Sequence, residues 1–136
     1  MSDHTNLDDE PASTSAPTGR AHSRPVVRLR PKAEARAVRL GFPWVYADEL
    51  VTDRRTASLA PGALAVLEDG ERRPLGLVTV NANSKIIARM LDSDPEASID
   101  QAWMAAHLRR ALALRERMYD APFYRLVHAE CRNTRL

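Results

Sequence analysis

Seven cations stand out by type and spacing: Arg28, Arg30, Lys32, Arg36, Arg39, Lys85 and Arg89. Lys32, Arg36 and Arg39 recur at i, i+4 and i+7, which stacks them on one side of a helix at about 100° per residue. Strand alternation places Lys85 and Arg89 on a common face. Arginine dominates the set, and its planar fork presents paired N–H donors that match phosphate oxygens, whereas lysine supplies a point charge. Such a density of cations either solvates a surface or binds a polyanion. If four or five of them contacted single-stranded RNA phosphates, the logarithmic salt slope of binding would be roughly −3.

Other chemistries find little support. The five glycines, Gly19, Gly41, Gly62, Gly70 and Gly76, form neither a Gly-x-Gly-x-x-Gly turn nor a phosphate loop, so a nucleotide or methyl-donor cradle is not expected. There is no His-Glu-x-x-His and no Gly-x-Ser-x-Gly. Asp92 and Asp94 lie before Pro95, where a solvated linker would hold both ionised. His107 reads as a partly buried histidine, because His4, His22 and His128 offer no chelating partner, and no metal is expected. Cys131 is the single cysteine, which excludes an intrachain disulfide and a multi-thiolate zinc site, and no base or substrate near it marks it as a nucleophile. No catalytic residue is expected.

The elements that must carry the cations follow from pattern. Val26 to Arg30 reads as a short strand stopped by Pro31. A helix over Lys32 to Leu40 would turn Ala33, Ala37 and Leu40 inward and end at Gly41 in a left-handed C′ position. Phe42, Trp44 and Tyr46 cluster in a chain with only seven aromatics; Trp44 suits packing, with an exposed Phe42 or Tyr46 as the alternative base-stacking surface. Ala63 to Leu67 and Leu75 to Val80 read as strands joined by an Asp-Gly hairpin around Asp69. Asn81 and Ser84 fix a polar turn before the strand Lys85 to Leu91. Ser98 to Gln101 fits a capping box for a helix over 98–119, whose stripe of Trp103, Met104, Leu108, Ala111, Leu114 and Met118 is interrupted by His107 and Arg115. Tyr124 to Ala129 reads as a strand without an obvious partner. Short strands, tight turns and one early helix predict an α+β chain built on a small β-barrel-like module.

The chain has 136 residues and a formal net charge of +2, enough for one modest domain. Residues 1–19 hold a charge of −4 and residues 20–136 one of +6. The stretch 1–24 is acidic and poor in large apolar residues, so a disordered tail is expected there. No apolar run exceeds the length of Ala63 to Leu67, far below the roughly 18 residues that cross a bilayer. No membrane partner is expected, and the acidic start lacks the basic and apolar regions of a secretory signal, which predicts a cytoplasmic protein.

Gly41-Phe42-Pro43-Trp44-Val45-Tyr46 with Glu49-Leu50, then Pro61-Gly62, then Asn81-x-x-Ser84-x-Ile86-x-x-Arg89-x-Leu91, and finally Ala111-Leu112-Ala113-Leu114-Arg115-Glu116-Arg117 resemble the N-terminal part of the bacterial large-subunit ribosomal RNA cytosine-5 methyltransferases that begin with a PUA domain. The likeness spans about residues 26–130. It implies a PUA-like RNA-binding domain over 25–95, and over 96–136 a linker helix with the start of the hairpin that leads to a methyltransferase domain. At Cys131 the likeness stops, so the resemblance implies a truncated or frame-shifted chain, inactive by itself. Cys131 does not inherit the nucleophile that the family carries further downstream. S-adenosylmethionine is implied for the full-length family but not for this chain, and ribosomal RNA is the implied partner. A different expectation is a homodimer in which helix 98–119, lacking its neighbour, pairs with a second copy.

Overall fold

A computed structural model describes residues 23–121 and 123–127. The expected acidic tail up to residue 22, the end of the expected hairpin from His128 onward, and Cys131 lie outside the described residues.

The chain runs β1 (Val26–Arg28), α1 (Ala35–Arg39), β2 (Trp44–Tyr46), α2 (Arg54–Ala57), β3 (Ala63–Glu68), β4 (Pro74–Val80), β5 (Ile86–Asp92) and α3 (Gln101–Met118). The five strands form one sheet in the order β1-β3-β4-β5-β2, with β1 parallel to β3 and the remaining pairs antiparallel. Beyond β1 and β2 the chain pairs again: Leu29 bridges Leu50, Arg30 N–H donates to the Glu49 carbonyl at 2.8 Å, and Val51 N–H to that of Arg28 at 2.9 Å. The two edges of the sheet therefore meet, which covers edge groups that would otherwise invite foreign strands.

Alternation decides which residues go inside. Val80 and Ala88 pair across β4 and β5, Ala88 pairs with Val45, and all three are 1% exposed. With Val27, Leu29, Leu50, Ala65, Leu67 and Val78 they fill one core, and Ile87, though next to Ala88 on β5, is buried as well. The neighbouring register, Leu64, Thr79, Arg89 and Trp44 across β3, β4, β5 and β2, points to the other side of the sheet, because side chains one residue apart on a strand face opposite ways.

The early helix is shorter than its sequence pattern suggests. Pro31 and Lys32 form a turn, and only Ala35–Arg39 are helical. Val38 is the buried position and Leu40 is 66% exposed, so the inward face runs through Ala35 and Val38 at i, i+3. Gly41 closes the helix at φ 96°, its N–H donating to the Val38 carbonyl and that of Phe42 to Ala37, both at 2.9 Å; this is the Schellman arrangement, and it turns the chain sharply into β2.

The β3–β4 connection is a five-residue loop organised by Asp69. Its Oδ1 accepts from the N–H groups of Glu71 and Arg73, both at 2.9 Å. Arg72 takes φ 66°, so the turn is an Asp-centred loop and not a two-residue Asp-Gly hairpin. At α3 the cap is Asp100, which accepts from Trp103 N–H at 2.8 Å, in place of the expected Ser98. Residues 124–127 are not a strand.

Candidate nucleic-acid interface

The seven sequence-selected cations divide by what holds them. Arg28 donates to Glu68 at 3.0 Å across the β1–β3 pair. Arg30 lends its Nε to the Leu50 carbonyl at 3.1 Å, bracing the closure of the barrel. Arg39 reaches Asp69 at 2.6 Å. Lys32, Arg36, Lys85 and Arg89 are exposed, with no carboxylate within ion-pairing reach among the described residues. Lys32 precedes α1, so only Arg36 and Arg39 share the helix, while Lys85 lies in the bend just before β5. Arg28 and Arg30 are thus engaged within the barrel, and the other five face solvent wholly or in part.

Asp69 is the electrostatic hub beside α1. Its side chain is 4% exposed and takes Arg39 and Arg73 Nε, the latter at 2.9 Å, in addition to the two backbone donors. The Arg73 N–H, foremost, outweighs burial and holds the carboxyl down at about 2. An Asp69 kept ionised above the ordinary carboxylate range therefore fixes one edge of the Arg39 guanidinium. A guanidinium has five N–H donors, and the Arg39 side chain remains 47% exposed.

Aromatic side chains line the path from α1 to Arg89. Phe42, 44% exposed, meets Trp44 edge-on with ring centres 6.0 Å apart. Trp44 stands opposite Arg89 in the β2–β5 register, and Tyr46, 38% exposed, stands opposite Ile86, next to Lys85. Asn81 shapes the preceding turn: its Oδ1 accepts from Asn83 N–H at 3.1 Å and its carbonyl from Ser84 N–H at 3.1 Å.

A cleft of about 520 Å³ opens between α1, the end of β5 and α3. Val38 and Arg39 of α1, Gly41 and Phe42, Leu75 of β4, and Met90 to Ser93 form its floor and one wall; His107 and Arg110 of α3 form the other. Sequence reasoning did not select either α3 residue as a binding group, because nothing in a single helix shows that its polar side faces a strand end. Asp92 makes the connection. Its Oδ2 accepts from the Trp103 indole N–H at 2.7 Å and its Oδ1 from Asp94 N–H at 3.0 Å. Burial, the largest single influence, works to raise this carboxyl, but the Asp94 N–H and the Trp103 indole, together with His107 and the Ser93 N–H, hold it below its ordinary value. Asp92 is thus a clamp between β5 and α3, not a solvated linker residue. Trp103 in turn lies against the His107 ring with centres 3.9 Å apart. Among the described residues no group of three or more His, Cys, Asp or Glu could hold a metal, and no helix is long and apolar enough to cross a membrane.

The comparisons with known proteins agree with this architecture. Residues 27–93 match the family model of the PUA-like domain. This part of the chain is a PUA-like domain. The chain is also 35% identical, over 118 residues, to a ribosomal RNA large subunit methyltransferase of Deinococcus radiodurans. The match covers 81% of this chain and 28% of the relative, so the chain spans under a third of that protein's length. The small α+β barrel anticipated from pattern and resemblance is the observed fold, and the match to 27–93 ends at the close of β5, before α3 begins.

Proposed function

We propose that the PUA-like domain is an RNA-docking module that engages structured ribosomal RNA. The observation that carries this is the coincidence of a PUA-like fold with exposed Lys32, Arg36, Lys85 and Arg89, unpaired by carboxylates among the described residues, and with exposed Phe42 and Tyr46. Phosphates would meet the cations and unpaired bases the aromatic rings. Arg39 joins the set through its free donors, whereas Arg28 and Arg30 brace the barrel.

Methyl transfer is proposed only for a longer protein of the kind the relative represents. The described residues offer no glycine-rich loop between a strand and a helix to cradle S-adenosylmethionine. A second reading, self-association through α3, is favoured by Met118, Tyr119 and Phe123, which are 62%, 50% and 90% exposed.

The test is fluorescence anisotropy of a labelled ribosomal RNA hairpin at several salt concentrations. Three to four phosphate contacts predict a slope of roughly −2 to −3 in log affinity against log salt, steepest for wild type and flattened by the double variant Lys32→Gln, Arg36→Gln. RNA binding that is absent, or indifferent to salt and to these substitutions, refutes docking; sedimentation that shifts with protein concentration in that case supports self-association.

A further inference from the structure

We propose that the cleft between α1, β5 and α3 receives one unstacked nucleotide, and that α3, which lies beyond the matched domain, supplies half of its anion site through Arg110. This inference rests on the RNA-docking reading and names the piece of RNA that enters. The cleft combines two chemistries, apolar side chains and guanidinium groups. Val38, Leu75, Met90 and Leu91 give an apolar floor, with the Phe42 ring at its margin, which suits the flat face of a base. Arg39 and Arg110 flank the same space from different helices, and two guanidinium forks around one gap suit a phosphate.

The remaining polar groups are consistent with that occupant. Arg110 is exposed and makes no ion pair among the described residues. His107 has its Nδ1 3.1 Å from the Trp103 carbonyl. A carbonyl only accepts, so Nδ1 donates to it, which leaves Nε2 to hydrogen-bond a ribose hydroxyl, a group that can both donate and accept. Asp92 also lines the cleft, but both its oxygens accept from protein donors. With Asp92 ionised, Arg39 and Arg110 still leave the lining with a net positive charge. At about 520 Å³ the space lies within the roughly 300–1,000 Å³ of small-molecule sites, too small for a duplex.

The experiment compares wild type with Arg110→Gln and Arg109→Gln by anisotropy. Arg109 is an exposed neighbour on α3 that does not line the cleft, so its substitution removes the same charge from the same helix. The probes, each read separately, are a labelled hairpin RNA with a single-stranded pyrimidine loop and a fluorescently labelled cytidine 5′-monophosphate. Losing one charge-assisted phosphate contact predicts that Arg110→Gln binds the hairpin roughly tenfold more weakly and lowers the salt slope by about 0.7, while Arg109→Gln does neither. Equal losses in both variants overturn the cleft site and leave RNA docking standing. Binding of the labelled mononucleotide that needs Arg110, without hairpin binding, supports the nucleotide site but overturns RNA as its source. Wild type that binds neither probe overturns both readings.

Discussion

Gly76 is the position where the packing around the cleft is least forgiving. It lies in β4 at φ 147°, opposite Leu67, and a Cβ there would be driven onto the Asp92 carbonyl oxygen, with Met90 Cε 2.7 Å and Ser93 Cα 3.1 Å away. The methionine end can yield, but the backbone of β5 cannot do so without moving Asp92, the residue that holds Trp103. Gly62 provides the control: φ is 85°, yet nothing lies within 4 Å of its would-be Cβ. Gly62→Ala should therefore cost only the backbone conformation, about 1–2 kcal/mol. Gly76→Ala should cost about 1–3 kcal/mol of backbone strain and a further ~1–3 kcal/mol of steric displacement. A loss near the middle of that range is about half the stability of a small domain, ~5–15 kcal/mol in all. Urea unfolding followed through the two tryptophans, Trp44 on β2 and Trp103 on α3, reads both variants. If Gly76→Ala were as mild as Gly62→Ala, the close approach of β4 to the end of β5 would be wrong, and with it the shape of the cleft floor.

Three further outcomes follow from the contacts. Trp103→Phe keeps an aromatic ring, though a smaller one, and removes the donor to Asp92, so it should weaken the attachment of α3 by about 1–2 kcal/mol; amide exchange that speeds up along α3 but not in β3 and β4 is the expected pattern, and unchanged α3 protection contradicts it. Asp69 has its carboxyl lowered from 3.8 to about 2, so its stabilising effect is complete above the ordinary carboxylate range and lost as pH falls through that interval. The difference in unfolding stability between wild type and Asp69→Asn should accordingly shrink on acidification toward pH 2, and a constant difference would remove Asp69 from that role. Arg28→Gln breaks the Glu68 pair and should leave RNA affinity unchanged, since that guanidinium is already engaged; a loss comparable to that of Lys32→Gln, Arg36→Gln would move the interface.

Much of the barrel was legible because alternation and turn chemistry are local. Ala63 to Leu67 and Leu75 to Val80 read as strands from their apolar runs, and Asn81 to Ser84 as a turn from residue type. The small elements were not legible: α2 is a single turn capped by Asp53, and β2 is three residues whose pairing with β5 is a long-range fact. At α1, Lys32, Arg36 and Arg39 have helical spacing, but the turn at Pro31 and Lys32 delays the helix, so the spacing overstated the cationic face. The site was legible only as a list of cations. Which of them meet carboxylates depends on Glu68 and Asp69, some thirty to forty positions away in sequence. The contribution of α3 depends on Asp92, whose type suggested only a solvated loop.

The most direct test of RNA docking on this face is a titration of the isotopically labelled chain with a ribosomal RNA hairpin, following backbone amide resonances. Shifts gathered at Lys32, Arg36, Phe42 to Tyr46, Lys85, Arg89 and Arg110 are the expected result. Shifts centred instead on the β1–β3 edge around Arg28 and Glu68, or none at all, would contradict it.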